Sequence, residues 1–106
     1  MFKFILSFLM FLGLGFNYSQ AEWVTVELTA YSLYENSNSI TASGTVPVQG
    51  RTIAVNWLPI GTRVQIFGNW YVVEDRGGME GIDIFFDSYD DCIQFGRQVA
   101  EIYIER

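Results

Sequence analysis

Two aspartates, Asp75 and Asp83, bracket a glycine-rich turn in the run Val73-Glu74-Asp75-Arg76-Gly77-Gly78-Met79-Glu80-Gly81-Ile82-Asp83-Ile84-Phe85-Phe86. The chain contains no histidine, which removes serine-histidine and cysteine-histidine mechanisms and most zinc sites. Carboxylate acid–base chemistry, or binding without chemistry, is what these residue types permit. Asp83 lies among large apolar residues that favour strands, where aspartate is depleted. A charge there calls for a catalytic role or a structural hydrogen bond. Asp75, beside Gly77 and Gly78, also suits a turn, and the two glycines serve backbone geometry. Two carboxylates held close across a sheet push one pKa up and leave the other charged. We expect Asp83 to be the proton-bearing acid and Asp75 its ionised partner, with the reverse assignment open.

The elements that must hold these residues are mostly strands. Trp23 to Tyr31 alternates apolar and polar residues, the period-2 pattern of a half-buried strand. Glu35 to Gln49 is rich in Ser, Asn, Thr and Gly and reads as a long surface loop. Thr52 to Val55 is a short buried strand, and Leu58-Pro59-Ile60-Gly61-Thr62 is a turn that launches a strand over Arg63 to Phe67. Gly68-Asn69 is a two-residue hairpin signal, followed by strands over Trp70 to Glu74 and Ile82 to Phe86. Ser88 can cap a short helix, with Asp91 completing a capping box, and Gly96 can end it in the left-handed region. Gln98 to Glu105 closes the chain as a strand. The pattern predicts a mainly β domain, a small closed barrel with one short helix.

Residues Met1 to Ala21 read as a secretory signal. Lys3 supplies the charge, Phe4 to Phe16 the apolar stretch, and Ser19-Gln20-Ala21 the small-x-small cleavage pattern. The apolar stretch is shorter than the roughly twenty residues of a spanning helix, so no stable membrane insertion is expected after cleavage. The chain is expected outside the cytoplasm, secreted or periplasmic. Residues 22–106 carry five arginines against twelve acidic residues, a formal charge of −7. That balance excludes nucleic acid and anionic membrane surfaces as partners. Cys92 is the sole cysteine, so no internal disulfide staples the domain, and a buried free thiol is expected there. Asp87, Asp90 and Asp91 lack calcium-loop spacing, and helix capping accounts for them. No metal or cofactor is called for. Trp23, Trp57 and Trp70 suit core or rim positions better than sugar stacking.

A succession of short motifs then carries a resemblance. Thr29-Ala30-Tyr31-Ser32, Thr41-Ala42-Ser43-Gly44, Gly50-Arg51-Thr52-Ile53-Ala54-Val55, Leu58-Pro59-Ile60-Gly61-Thr62-Arg63-Val64, Glu74-Asp75-Arg76-Gly77-Gly78, Ile82-Asp83-Ile84-Phe85-Phe86 and Phe95-Gly96-Arg97 appear in one order. Their order over Leu28 to Tyr103 resembles the three-aspartate (3D) domain of bacterial cell-wall enzymes. The family includes membrane-bound lytic transglycosylase A and stationary-phase muralytic proteins. The resemblance implies a six-stranded double-psi β-barrel and cleavage of peptidoglycan glycan strands to a 1,6-anhydromuramoyl end. Two of the family's aspartates match, Asp75 and Asp83. Where the family usually has Ala-Val-Asp-Pro, this chain has Ala54-Val55-Asn56-Trp57. The Asp75–Asp83 loop is also shorter than the common pattern and lacks its lysine.

Transglycosylation needs one acid that protonates the glycosidic oxygen and then takes a proton from the sugar's C6 hydroxyl. Hydrolysis needs two carboxyls at a set separation. Asn56 cannot titrate and would orient a sugar or a carboxylate. Thr29, Tyr31, Thr41 and Ser43, with Gly77 and Gly78, are candidate groove residues for sugar hydroxyls; Thr29 and Tyr31 equally suit a barrel strand. Two function classes follow: a lytic transglycosylase-like enzyme, or a catalytically weak peptidoglycan-binding or accessory module on the same barrel.

Overall fold

The computed structural model describes residues 22–33 and 39–105. The expected signal segment and part of the Glu35–Gln49 loop lie outside the described residues. Six strands and one helix follow in chain order: β1 (Glu22–Tyr31), β2 (Thr52–Ala54), β3 (Arg63–Ile66), β4 (Asn69–Asp75), β5 (Ile82–Phe85), α1 (Tyr89–Phe95) and β6 (Gln98–Glu105). They form a closed barrel in the order β1-β5-β2-β4-β3-β6. Closure removes the open edges that a six-stranded sheet would otherwise expose. β1 runs parallel to β5 and β2 parallel to β4, while the other four pairings are antiparallel.

The barrel is filled from alternate positions of each strand. Val26 and Leu28 of β1, Ile53 of β2, Val64 and Ile66 of β3, Val73 of β4, Ile82 and Ile84 of β5, and Ile102 and Ile104 of β6 meet in one buried cluster with Val55 and Leu58. The predominance of Val and Ile suits a pleated wall, where β-branched side chains pack well. Each fully buried side chain of this kind contributes about 1.5–3 kcal/mol. Cys92 is buried and unpaired.

The β3–β4 hairpin turns one residue earlier than its Gly-Asn signal suggests. Ile66 pairs with Asn69, so the two turn residues are Phe67 and Gly68, with φ of +51° and +82°. Two positive φ values in succession give the type I′ geometry that matches strand twist. The exposed Phe67 therefore sits in a backbone region uncommon for a bulky residue. In α1, Ser88 Oγ accepts from Asp91 N at 3.1 Å, the expected cap. Gly96 (φ +67°, ψ −133°) ends the helix by donating its N–H to the Cys92 carbonyl.

Candidate active site

The lateral register of the barrel assembles the site. Thr29 pairs with Asp83, Asp83 with Ala54, and Ala54 with Asp75. One row therefore crosses β1, β5, β2 and β4 at the same height. Their neighbours Leu28, Ile82, Ile84 and Ile53 point into the core, so alternation turns Thr29, Asp83 and Ala54 to the outer face. Asp75 reaches that face through an irregularity. The β2–β4 register skips Glu74 between the Ile53–Val73 and Ala54–Asp75 pairs. This is a β-bulge, the device that re-aims a side chain beside a site. The two aspartates flank Ala54, which sets their Cα atoms roughly 9–10 Å apart, two strand spacings.

The carboxylates sit in different surroundings. Asp83 Oδ1 accepts one hydrogen bond, from Thr29 Oγ1 at 2.9 Å. Burial pushes its pKa up, the Thr29 bond pulls it down, and the charge of Asp75 adds to the rise; the net shift is upward. Asp75 is held by three donors: Tyr31 Oη on Oδ2 at 3.1 Å, and the amides of Ala42 and Arg76 on Oδ1, each at 2.9 Å. Tyr31 is pushed well above the usual phenol range, first by burial and then by Asp75. It therefore stays a hydrogen-bond donor to Asp75. Its ring meets Phe85 edge-on at 5.5 Å, which fixes its orientation.

Two loops wall the row. The first, over residues 76–81, is clamped from the β2 side. Asn56 accepts from Gly77 N at 2.9 Å and donates to the Met79 carbonyl at 3.3 Å. Trp57 Nε1 donates to the Gly81 carbonyl, and Arg76 Nη1 donates to the carbonyls of Val55 and Leu58. Gly78 (φ +79°) lies so close that a Cβ there would stand 3.0 Å from Asp83 N. At Gly81 a Cβ would overlap the Glu27 carbonyl oxygen.

The second loop, Thr41–Thr45, is a compact turn built on its own hydroxyls. Thr41 Oγ1 lies 2.9 Å from Ser43 Oγ and 2.7 Å from Thr45 Oγ1. Glu74, bulged onto this side, accepts from Thr45, Arg51 and Thr52 through Oε1 at 3.1, 3.1 and 2.8 Å. Arg51 Nε stands 2.7 Å from Oε2 as a close ion pair rather than an aligned hydrogen bond. The Ser43 amide adds a bond to the Glu74 carbonyl. Burial pushes Glu74 up, but the bonds from Arg51, Thr52 and Thr45 and the Arg51 charge outweigh it and hold the carboxyl below its usual value.

Thr29, Tyr31, Asp75, Asp83, Gly77 and Gly78 are thus brought together. Asn56, Thr41 and Ser43 stand beside the row with their side chains bonded to the loops. Sequence reasoning passed over Glu74, Gly81 and Arg97. Glu74 is a second carboxylate directly beside Asp75 at the end of an apolar strand, and Gly81 a third glycine in the loop; both were visible signals.

Asp83 and Thr29 open onto a cleft of about 800 Å³, also lined by Thr25, Glu27, Gly78, Glu80 and Arg97. A second depression of about 380 Å³, lined by Tyr31, Tyr89, Cys92 and Ile93, shares Thr29, Ala30 and Arg97 with the first. The Cys92 thiol is pushed up, first by burial and further by the charges of Asp83 and Asp91, which keeps it a poor nucleophile. Among the described residues, no group of three or more His, Cys, Asp or Glu could hold a metal ion. Nor is any described helix long and apolar enough to cross a membrane. Trp23 and Trp70 lie away from the row, on either side of Tyr103.

No protein-family model matches this chain, and no curated protein matches it either.

Proposed function

We propose that this chain is a lytic transglycosylase-like protein that acts on peptidoglycan glycan strands, on a barrel of the double-psi type, outside the cytoplasm. The observation that carries this reading is the unequal pair: a half-buried Asp83 with a raised pKa facing an open cleft, beside an Asp75 engaged by three donors. Asp83 in its protonated form gives its proton to the glycosidic oxygen as the C1–O bond breaks. The resulting carboxylate takes the proton of the muramoyl C6 hydroxyl as that oxygen bonds to C1. The proton count closes on one residue, so no second carboxyl has to activate water. Asp75 raises the proton affinity of Asp83 through its charge and holds both loops by its hydrogen bonds. Thr29 fixes the rotamer of the acid. The three-aspartate resemblance supports the same chemistry.

One observation favours the second reading, a glycan-binding module without turnover. Asn56, at the position where that family usually has aspartate, is bonded to Gly77 and Met79 and is not aimed at a ligand. The test is mass spectrometry of soluble products after incubation with peptidoglycan sacculi, beside D83N. Anhydromuropeptides from the wild-type chain that disappear with D83N establish the enzyme. Absence of product from a chain that still pellets with sacculi leaves the binding module.

A further inference from the structure

The two depressions meet at one cation. Arg97 lines both, and among the described residues no other Lys or Arg lines either. Around it the first cleft carries Glu27, Glu80 and Asp83, in a chain whose net charge is strongly negative. A neutral polysaccharide needs no guanidinium here. An anionic one would be repelled from the cleft without it.

Arg97 is also free to change partner. Its ion pair with Glu27, Nη1 to Oε2 at 2.8 Å, is formed between side chains 67% and 47% exposed. Exposed pairs of this kind contribute about 0–1 kcal/mol, so an incoming carboxylate can replace Glu27 at little cost. The planar fork of an arginine suits a carboxylate in bidentate fashion. Beyond Arg97, the second depression offers Tyr89 and Ile93 as an exposed apolar wall.

Building on the transglycosylase-like reading, we propose that Arg97 and the second depression form a subsite for a carboxylate-bearing acyl or peptide branch of the glycan. The scissile bond lies at Asp83, the branch passes Thr29 and Ala30, its carboxylate meets Arg97, and its apolar part rests on Tyr89 and Ile93. Arg97 is then a specificity residue. It selects branched, acidic glycans over bare ones.

The test uses D83N to stop turnover and measures affinity by NMR titration for three probes. These are glycan fragments with peptide stems, the same fragments with stems removed, and an N-acetylated dipeptide with a free or an amidated C-terminus. Stem-bearing fragments are expected to bind at least tenfold more tightly than bare ones. R97Q is expected to abolish that ratio without changing affinity for bare fragments, and R97K to restore part of it. E27Q separates recognition from a strand tie between β1 and β6: it removes the same ion pair but leaves the cation, and is expected to keep or raise the preference. The free-acid dipeptide is expected to shift the Arg97 Nε–H resonance, and its amide not to. Equal affinity for stem-bearing and bare fragments, or identical losses in R97Q and E27Q, overturns the subsite. Should no glycan bind while the free-acid dipeptide still shifts Arg97, the carboxylate site stands and the glycan reading fails.

Discussion

Glu74 offers the sharpest test of how the site is held. Its side chain is 10% exposed, and four contacts from Thr45, Arg51 and Thr52 converge on its two oxygens. Removing one member of a buried charged cluster costs about 3–5 kcal/mol. Here the guanidinium left behind is 43% exposed and recovers water, which lowers the expectation for Glu74→Ala to about 2–4 kcal/mol. A domain of this size holds about 4–13 kcal/mol in all, so the loss corresponds to a fall in Tm of roughly 10–25 °C. Glu74→Gln keeps the shape and one acceptor but loses the ion pair. It should fall between, near 1–2 kcal/mol.

The pH dependence fixes the mechanism. The folded pKa of Glu74 is depressed below its usual 4.5, so below that pH the unfolded chain binds more protons than the folded one. The stabilisation is fully present above pH 4.5 and is lost as pH falls through the folded value. Urea unfolding of the wild type, E74Q and E74A at pH 7 and at successive steps down to pH 3 reads this directly. The wild-type advantage over E74Q should be largest at pH 7 and shrink below pH 4.5. A cost under about 1 kcal/mol for E74A, or a gap to E74Q that stays constant down to pH 3, refutes the charged-latch argument.

Other expectations follow from single contacts. Gly81→Ala forces a methyl against the Glu27 carbonyl and should cost about 1–3 kcal/mol as overpacking, seen as a lower urea midpoint. Asn56→Asp keeps an acceptor for Gly77 N but turns the donor to Met79 into a repelling oxygen. It should destabilise by about 1 kcal/mol rather than improve turnover, and sacculus digestion by the variant checks the second half. Thr29→Val removes the bond that opposes the upward shift of Asp83. An acid works in its protonated form, so the alkaline limb of any pH–rate profile should move to higher pH; movement to lower pH would sink the assignment of Asp83.

The barrel was legible because its strands carry alternation that only one face can satisfy: Val24, Val26 and Leu28 against Thr25, Glu27 and Thr29, and Ile82 and Ile84 around Asp83. That oddity of a charge among apolar residues singled out Asp83, which the barrel turns to the outer face between the core residues Ile82 and Ile84. The partners were not legible. Alternation says which face a residue takes but not what lies across it, so the Thr29–Asp83 and Tyr31–Asp75 bonds come only from parallel pairing between β1 and β5 and from barrel closure. Thr41 and Ser43 read as groove hydroxyls because a polar loop looks the same whether it bonds a sugar or itself. The hairpin was misplaced by one residue because a bulky Phe67 in the left-handed region leaves no signal, whereas Asn69 does.

The bulge at Glu74 ties these observations into one device. In a regular strand, alternation would send Glu74 and Asp75 to opposite faces, and one charge would enter a core of Val and Ile. Skipping one register position lets consecutive carboxylates serve the same side. Glu74 draws in the Thr41–Thr45 loop through the Thr45 hydroxyl and the Ser43 amide, and Asp75 receives the Ala42 amide that this loop then presents. The same Asp75 charge adds to the rise in the pKa of Asp83. Loop position and the Asp75 share of the raised proton affinity of Asp83 therefore depend on one local irregularity. Restoring regular pairing by deleting a residue there should release the loop and remove that share together, while substitutions at Glu74 alone should loosen the loop only; in both cases burial keeps the proton affinity of Asp83 raised.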